Sequence, residues 1–263
     1  NMADEYNFYP TDGLTLFQRT GDEYFRIMGG WDVTASPGVT AREGMNKLTP
    51  VTNWRGYCSK YNYAVGTTDG GENAVTGYIF EKMNASDKKD VNDRGNSKGL
   101  NTLLYDFKAY KANFILGDYF VALGAGVTNA KPAMEGGIRT TIDQTAHIGA
   151  VTVIEKGKEK PLQEGRQSLI TFEGQPVWVM QEGKFAYRVL PEFTRKAFVL
   201  TETCPTNWIK RNRGNAKKGD LPQTVDILRL WVDHGQASVN DTYGYVVYTG
   251  KGRPADTLPF QVL

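Results

Sequence analysis

The chain has 263 residues, of which 40% are hydrophobic, 12% aromatic and 23% charged; that is enough to bury a sizeable core and excludes a peptide, a disordered chain or a disulfide-stapled mini-domain. Thirty-one cations against twenty-nine anions leave a net charge of +2, so no chain-wide field marks a nucleic-acid binder, and no apolar run approaches a membrane span. Two cysteines and two histidines are too few for a disulfide framework or a zinc centre, and neither a metal nor a cofactor is expected.

The opening residues, Asn1 to Glu5, lack the basic start and apolar stretch of an export signal, so the chain reads either as cytoplasmic or as an excised piece of something longer. Runs rich in Val, Ile, Thr, Tyr and Phe then recur at the spacing of sandwiches and barrels. Strands are predicted at 14–19, 24–28, 77–83, 119–127, 138–142, 175–181, 184–189, 197–201, 225–232 and 244–248. Gly117-Asp118 and Glu182-Gly183 sit between apolar runs and predict hairpins, because each supplies a residue that tolerates positive φ. Residues 100–110 carry a helical rhythm through Leu100, Leu103, Leu104 and Phe107, although the nearby tyrosines suit a strand equally well. Residues 84–99 are polar without an apolar anchor and read as an exposed loop. With no internal repeat and no linker, the expectation is one continuous all-β, antiparallel assembly over residues 1–263. Cys58 and Cys204 leave two readings open, one disulfide or two unpaired thiols.

Three constellations could carry chemistry. Residues 67–73 form a glycine-rich acidic loop in which Glu72 can orient or tune a basic partner and Asn73 can hydrogen-bond a substrate carboxylate or hydroxyl; the same residues also suit a plain polar connection. Residues 207–218 surround Trp208 with five cations, among them Arg211 and Arg213. There the guanidinium fork matches a carboxylate or sulfate, and the indole offers a face for a sugar. Trp54, Arg55 and Tyr57 repeat that pairing upstream. His234 reads as a ring bonded at strand ends, and His147 has no evident catalytic partner. No nucleophile elbow and no phosphate-cradling glycine motif occur.

The order of several phrases adds a resemblance. Trp31-Asp32 followed by Pro37-Gly38-Val39-Thr40, then residues 139–144 (R-T-T-I-D-Q), then 230–235 (L-W-V-D-H-G) with Tyr243 and Tyr245, together resemble the β-rich part of polysaccharide lyase family 8. The nearest look is to enzymes acting on chondroitin, dermatan, hyaluronan or xanthan. The resemblance spans almost the whole chain and implies a large antiparallel β super-sandwich. In the family this domain stands between an N-terminal helical toroid and a smaller C-terminal β domain. It further implies an acidic polysaccharide as substrate, the toroid of a parent chain as partner, no nucleic-acid or membrane partner, and an exported, periplasmic or extracellular bacterial setting.

The family cleaves by β-elimination, with most of the proton-moving groups on the toroid and one glutamate reaching in from the sandwich. Matching the glycine turn at residue 66 and Gly77 to that loop makes Glu72, in preference to Asp69, the counterpart. No position matches the toroid's His, Tyr or Arg, so the chain alone is expected to turn nothing over. Trp54, Arg55, Asn73, Arg211 and Arg213 are the expected substrate contacts. The alternatives are a non-catalytic carbohydrate-binding module using Trp54 and Trp208, and a scaffold for the toroid.

Overall fold

The structure, a computed structural model, describes residues 13–44, 63–81, 107–169, 177–211 and 221–262. Within them, fourteen strands form two antiparallel sheets. The larger has nine strands in the order β2 (Ala64–Thr68), β3 (Asn73–Glu81), β4 (Phe107–Leu116), β5 (Tyr119–Asn129), β14 (Asp241–Tyr248), β11 (Ala186–Val189), β10 (Trp178–Gln181), β7 (Val151–Glu155) and β8 (Lys158–Pro161). The smaller has five: β1 (Thr40–Arg42), β6 (Ile138–Ala146), β13 (Thr224–Gly235), β12 (Ala197–Pro205) and β9 (Gly165–Ser168). The all-β expectation holds, and the super-sandwich follows from how the sheets stack.

Period-two alternation explains the stacking. Tyr243, Tyr245 and Val247 of β14 join Leu228, Leu230 and Val232 of β13 in one core between the sheets. The alternate residues of β14, Val246 and Tyr248, look the other way, into a second cluster over the large sheet that Leu258, Phe260 and Val262 help to cover. Central strands of the large sheet are thus apolar on both faces. Each fully buried aliphatic or aromatic side chain contributes about 1.5–3 kcal/mol to holding the layers together. Gly124 shows how closely they pack: a Cβ there would lie 1.9 Å from the Tyr243 ring.

Both predicted hairpins form, with Gly117 at φ 57° between β4 and β5 and Gly183 at φ 69° between β10 and β11. Two predicted strands do not. Residues 14–19 run irregularly without a ladder, and residues 24–28 form turns instead. Buried Glu23 gathers the backbone N–H groups of Arg19 (2.9 Å), Thr20 (3.1 Å) and Gly21 (2.8 Å), and Tyr24 Oη takes that of Phe17 (3.0 Å). Side-chain oxygens have replaced a neighbouring strand as acceptors. The helical option at 100–110 falls partly outside the described residues, and its described end, from Phe107, is strand β4. The loop at 84–99 also lies outside them, as does Cys58. Cys204 is a free thiol, which burial and then the Glu202 carboxylate push up to about 11.

The outer face of β6 is polar yet buried along its whole length. Residues 31–37 lie over it and complete its hydrogen bonds. Gln144 accepts from the Asp32 N–H at 2.9 Å and donates to the Asp32 and Ala35 carbonyls at 2.8 and 3.0 Å. Arg139 pairs with the Asp32 carboxylate. Asp32 also starts the short 3-10 turn Val33–Ala35 by accepting the Thr34 N–H at 2.9 Å. The phrases that carry the family resemblance therefore meet in space, as framework.

Candidate functional site: the β2–β3 hairpin tip

The acidic loop is the tip of a hairpin at the edge of the large sheet. Strands β2 and β3 pair from Ala64↔Tyr78 to Thr68↔Ala74, so Thr67 and Thr68, expected in the loop, belong to the ladder. Gly70, at φ 80°, allows the reversal. Asp69 then locks the tip. Its Oδ1 accepts the Gly71 N–H at 2.8 Å, and its Oδ2 accepts from Asn73 Nδ2 at 2.7 Å. Thr68 Oγ1 donates to the Asn73 carbonyl at 2.8 Å. The Asn73 amide and these N–H groups hold the Asp69 carboxyl below its ordinary range.

This division of labour separates the two acids. Asp69 is consumed by the turn. Glu72 is exposed and has no hydrogen-bond or ion-pair partner among the described residues. Its carboxylate stands beside the β4–β5 turn, where a Cβ on Gly117 would come within 4.0 Å of Glu72 Oε2. An unengaged acid on a tip that is itself pinned can approach a basic group brought from outside the chain. Asn73 keeps its side-chain carbonyl for a ligand, but its amide nitrogen is committed to Asp69.

The other expected contacts are not assembled around this tip. Trp54, Arg55, Tyr57 and Arg213 lie outside the described residues. Arg211 closes the short helix α1 (Trp208–Arg211), and its side chain lies outside them as well. Trp208 is a packing residue: its ring sits against the Gly29 backbone, where a Cβ would be 2.5 Å from it, and its N–H donates to the Pro222 carbonyl at 3.0 Å.

The expectation that His234 is a ring bonded at strand ends holds, and the ring belongs to a longer hydrogen-bonded array. Its Nδ1 lies 2.7 Å from Asp241 Oδ2, its Nε2 2.9 Å from Thr140 Oγ1, and Thr140 Oγ1 2.8 Å from Thr40 Oγ1. An acid, an imidazole and a hydroxyl in line have the order of a nucleophile relay. Thr40 and Thr140 are fully buried, however, and His234 nearly so, which leaves no approach for a substrate. The array ties β1, β6, β13 and β14 together. His147 is held through its backbone, donating to the Asp226 carbonyl at 2.9 Å. Among the described residues no group of three His, Cys, Asp or Glu side chains could hold a metal ion, and no helix is long and apolar enough to cross a membrane.

Comparison with known proteins agrees with this architecture. The family model described as "Polysaccharide lyase family 8, super-sandwich domain" matches residues 1–256. The chain belongs to polysaccharide lyase family 8. It is 28% identical over 250 residues to a chondroitinase-AC of Pedobacter heparinus, an alignment that covers 94% of this chain and 30% of that protein. A solved chondroitinase AC lyase, studied in complexes with oligosaccharides, superposes with a TM-score of 0.67 at 25% identity over 92% of this chain and 30% of its own. A Paenibacillus xanthan lyase gives a TM-score of 0.69 at 20% identity over 96% of this chain and 22% of its own, and shares the fold. The family 8 chain thus spans under a third of the length of these relatives.

Proposed function

We propose that this chain is the sandwich portion of a longer bacterial lyase that cleaves uronic-acid-containing polysaccharides, chondroitin-type chains foremost, by β-elimination in an exported setting. In that reaction a base removes the C5 proton of the uronate. The C–H electron pair becomes the C4–C5 double bond, the C4–O bond breaks, and an acid protonates the departing glycosidic oxygen. Glu72 presents its carboxylate at one wall of the cleft and orients the basic groups that face it from the helical part of the parent, while Asn73 offers its side-chain carbonyl to the sugar. The observation that carries this reading is the free carboxylate of Glu72 on the Asp69-locked tip, in a chain of this family.

Incubating the 263-residue chain with chondroitin sulfate and hyaluronan, and following absorbance of the conjugated unsaturated uronate, is expected to give no product. The parent protein is expected to give it, and Glu72→Ala in the parent lowers kcat by about a hundredfold or more with KM little changed. Full activity of that variant would favour the binding-module alternative.

A further inference from the structure

The outer face of the small sheet is covered over β1 and β6 by residues 31–37, whereas over β12 and β9 Arg166, Ser168 and Lys196 are exposed and Phe198 and Leu200 are half-buried. There the register sets Phe198 of β12 beside Trp231 of β13 and Ser168 of β9, with Arg166 of β9 opposite Leu200. The guanidinium carbon of Arg166 lies 3.8 Å from the centroid of the Phe198 ring and 5.2 Å from that of Trp231, and the two rings are 5.5 Å apart. Lys196 Nζ stands 5.4 Å from the same Phe198 ring.

The charges here are unevenly matched. Lys196 pairs with Asp233 at 2.9 Å and Arg229 with Glu202 at 2.6 Å, so both nearby carboxylates are already answered. Arg166 is exposed and, among the described residues, is held by ring faces alone. A guanidinium lying on an aromatic ring keeps its edge donors in solvent while its rotamer freedom is already reduced. Accepting a planar acid group as a two-pronged partner then costs less ordering than it would for a free side chain. The half-buried Phe198 ring offers an apolar surface to the C–H face of a sugar, with Trp231, 5% exposed, packed beneath it.

We propose that the Arg166–Phe198–Trp231 patch is a binding site for the acid group, carboxylate or sulfate, of an acidic polysaccharide chain. The ligand class rests on the lyase reading above; the site does not use Glu72. Strand β9 is the edge of the small sheet farthest from β1, and β1 is the edge whose neighbouring Gly38 carbonyl takes Lys111 Nζ of β4 at 2.9 Å. The patch and the Glu72 tip therefore lie toward opposite ends of the sandwich.

The test titrates the 263-residue chain at low salt with hexasaccharides of chondroitin 4-sulfate and unsulfated chondroitin, and with maltohexaose, following the Trp231 indole N–H by NMR. Both acidic sugars are expected to shift that signal and maltohexaose to leave it unmoved; a response to the sulfated sugar alone makes sulfate the recognised group. Arg166→Leu, which keeps an apolar cover on the rings, is expected to weaken binding at least about tenfold with unchanged Tm, and Arg166→Lys less so. Undiminished affinity in Arg166→Leu, or acidic sugars that leave Trp231 unmoved, overturns the proposal. Because the readout is binding, either result leaves the elimination reading standing or falling on its own assay.

Discussion

Tyr187 of β11 reaches across the core between the sheets and donates to Asp143 Oδ2 of β6 at 2.7 Å, while Tyr24 donates to Oδ1 at 2.9 Å. A bulge explains how a carboxyl comes to point inward. Leu230 pairs with Asp143 and Trp231 with Thr141, so Ile142 is passed over and the side chain after it turns to the core. Burial pushes this acid up to about 7, against the opposing pull of the two tyrosine hydrogen bonds.

The sign of the resulting pH dependence follows. A carboxyl with a folded pKa near 7 and an unfolded value near 4 holds, between those limits, a proton that the unfolded chain has released. Its contribution to stability is complete below about pH 4 and is lost as pH rises through about 7. Asp143→Asn removes the titration and keeps the shape. Relative to the parent sequence, the variant is expected to gain stability on the order of 2 kcal/mol between pH 5 and pH 8, measured by urea unfolding at both values. A constant difference across that range would refute the assignment.

Asp32 behaves in the opposite way. Burial raises its carboxyl, but the charges of Arg139 and Arg229 and the Thr34 hydrogen bonds outweigh burial and lower it. Its contribution is present above the ordinary carboxylate range and is lost as pH falls below it. Asp32→Ala leaves Arg139, with only 5% of its side chain exposed, without its main partner, and is expected to cost about 3–5 kcal/mol. The double change Asp32→Leu with Arg139→Met should recover part of that loss in chemical denaturation, since no buried charge is then left unpaired.

Much of the sandwich was legible because β5, β10, β11, β13 and β14 are runs rich in Val, Leu, Ile, Tyr and Phe, and the turns at Gly117 and Gly183 carry glycine where positive φ is required. Strands β8 and β9 were not, being short edge strands with mostly exposed polar residues, Lys158 to Lys160 and Arg166 to Ser168, and no buried face to impose a period. Residues 14–19 and 24–28 misled because they are apolar-rich, while the Phe17 and Arg19 N–H groups go to Tyr24 and Glu23 and the Phe25 N–H to the Asp22 carbonyl of a turn. At the site, Glu72 came from resemblance to a family loop. The capture of Asn73 by Asp69 and the stacking of Arg166 on Phe198 depend on turn geometry and on partners distant in sequence, which no local pattern encodes.

The two acids of the hairpin tip can be told apart without assaying a substrate. Asp69 accepts the Gly71 N–H and the Asn73 amide, whereas Glu72 accepts nothing from the described residues. Asp69→Ala is therefore expected to speed amide hydrogen exchange at Gly71 several-fold, and Asp69→Asn to restore part of the protection because its carbonyl can still accept. Glu72→Gln should leave exchange there unchanged. Since the tip's hydrogen bonds hold Asp69 below its ordinary range, protection in the unmodified chain should persist to mildly acidic pH and fade only once the carboxyl protonates. If Glu72→Gln loosened the tip as much as Asp69→Ala, Glu72 would be part of the turn rather than a free acid, and a loss of lyase activity in the parent on its removal would no longer identify it as the residue that orients the basic groups.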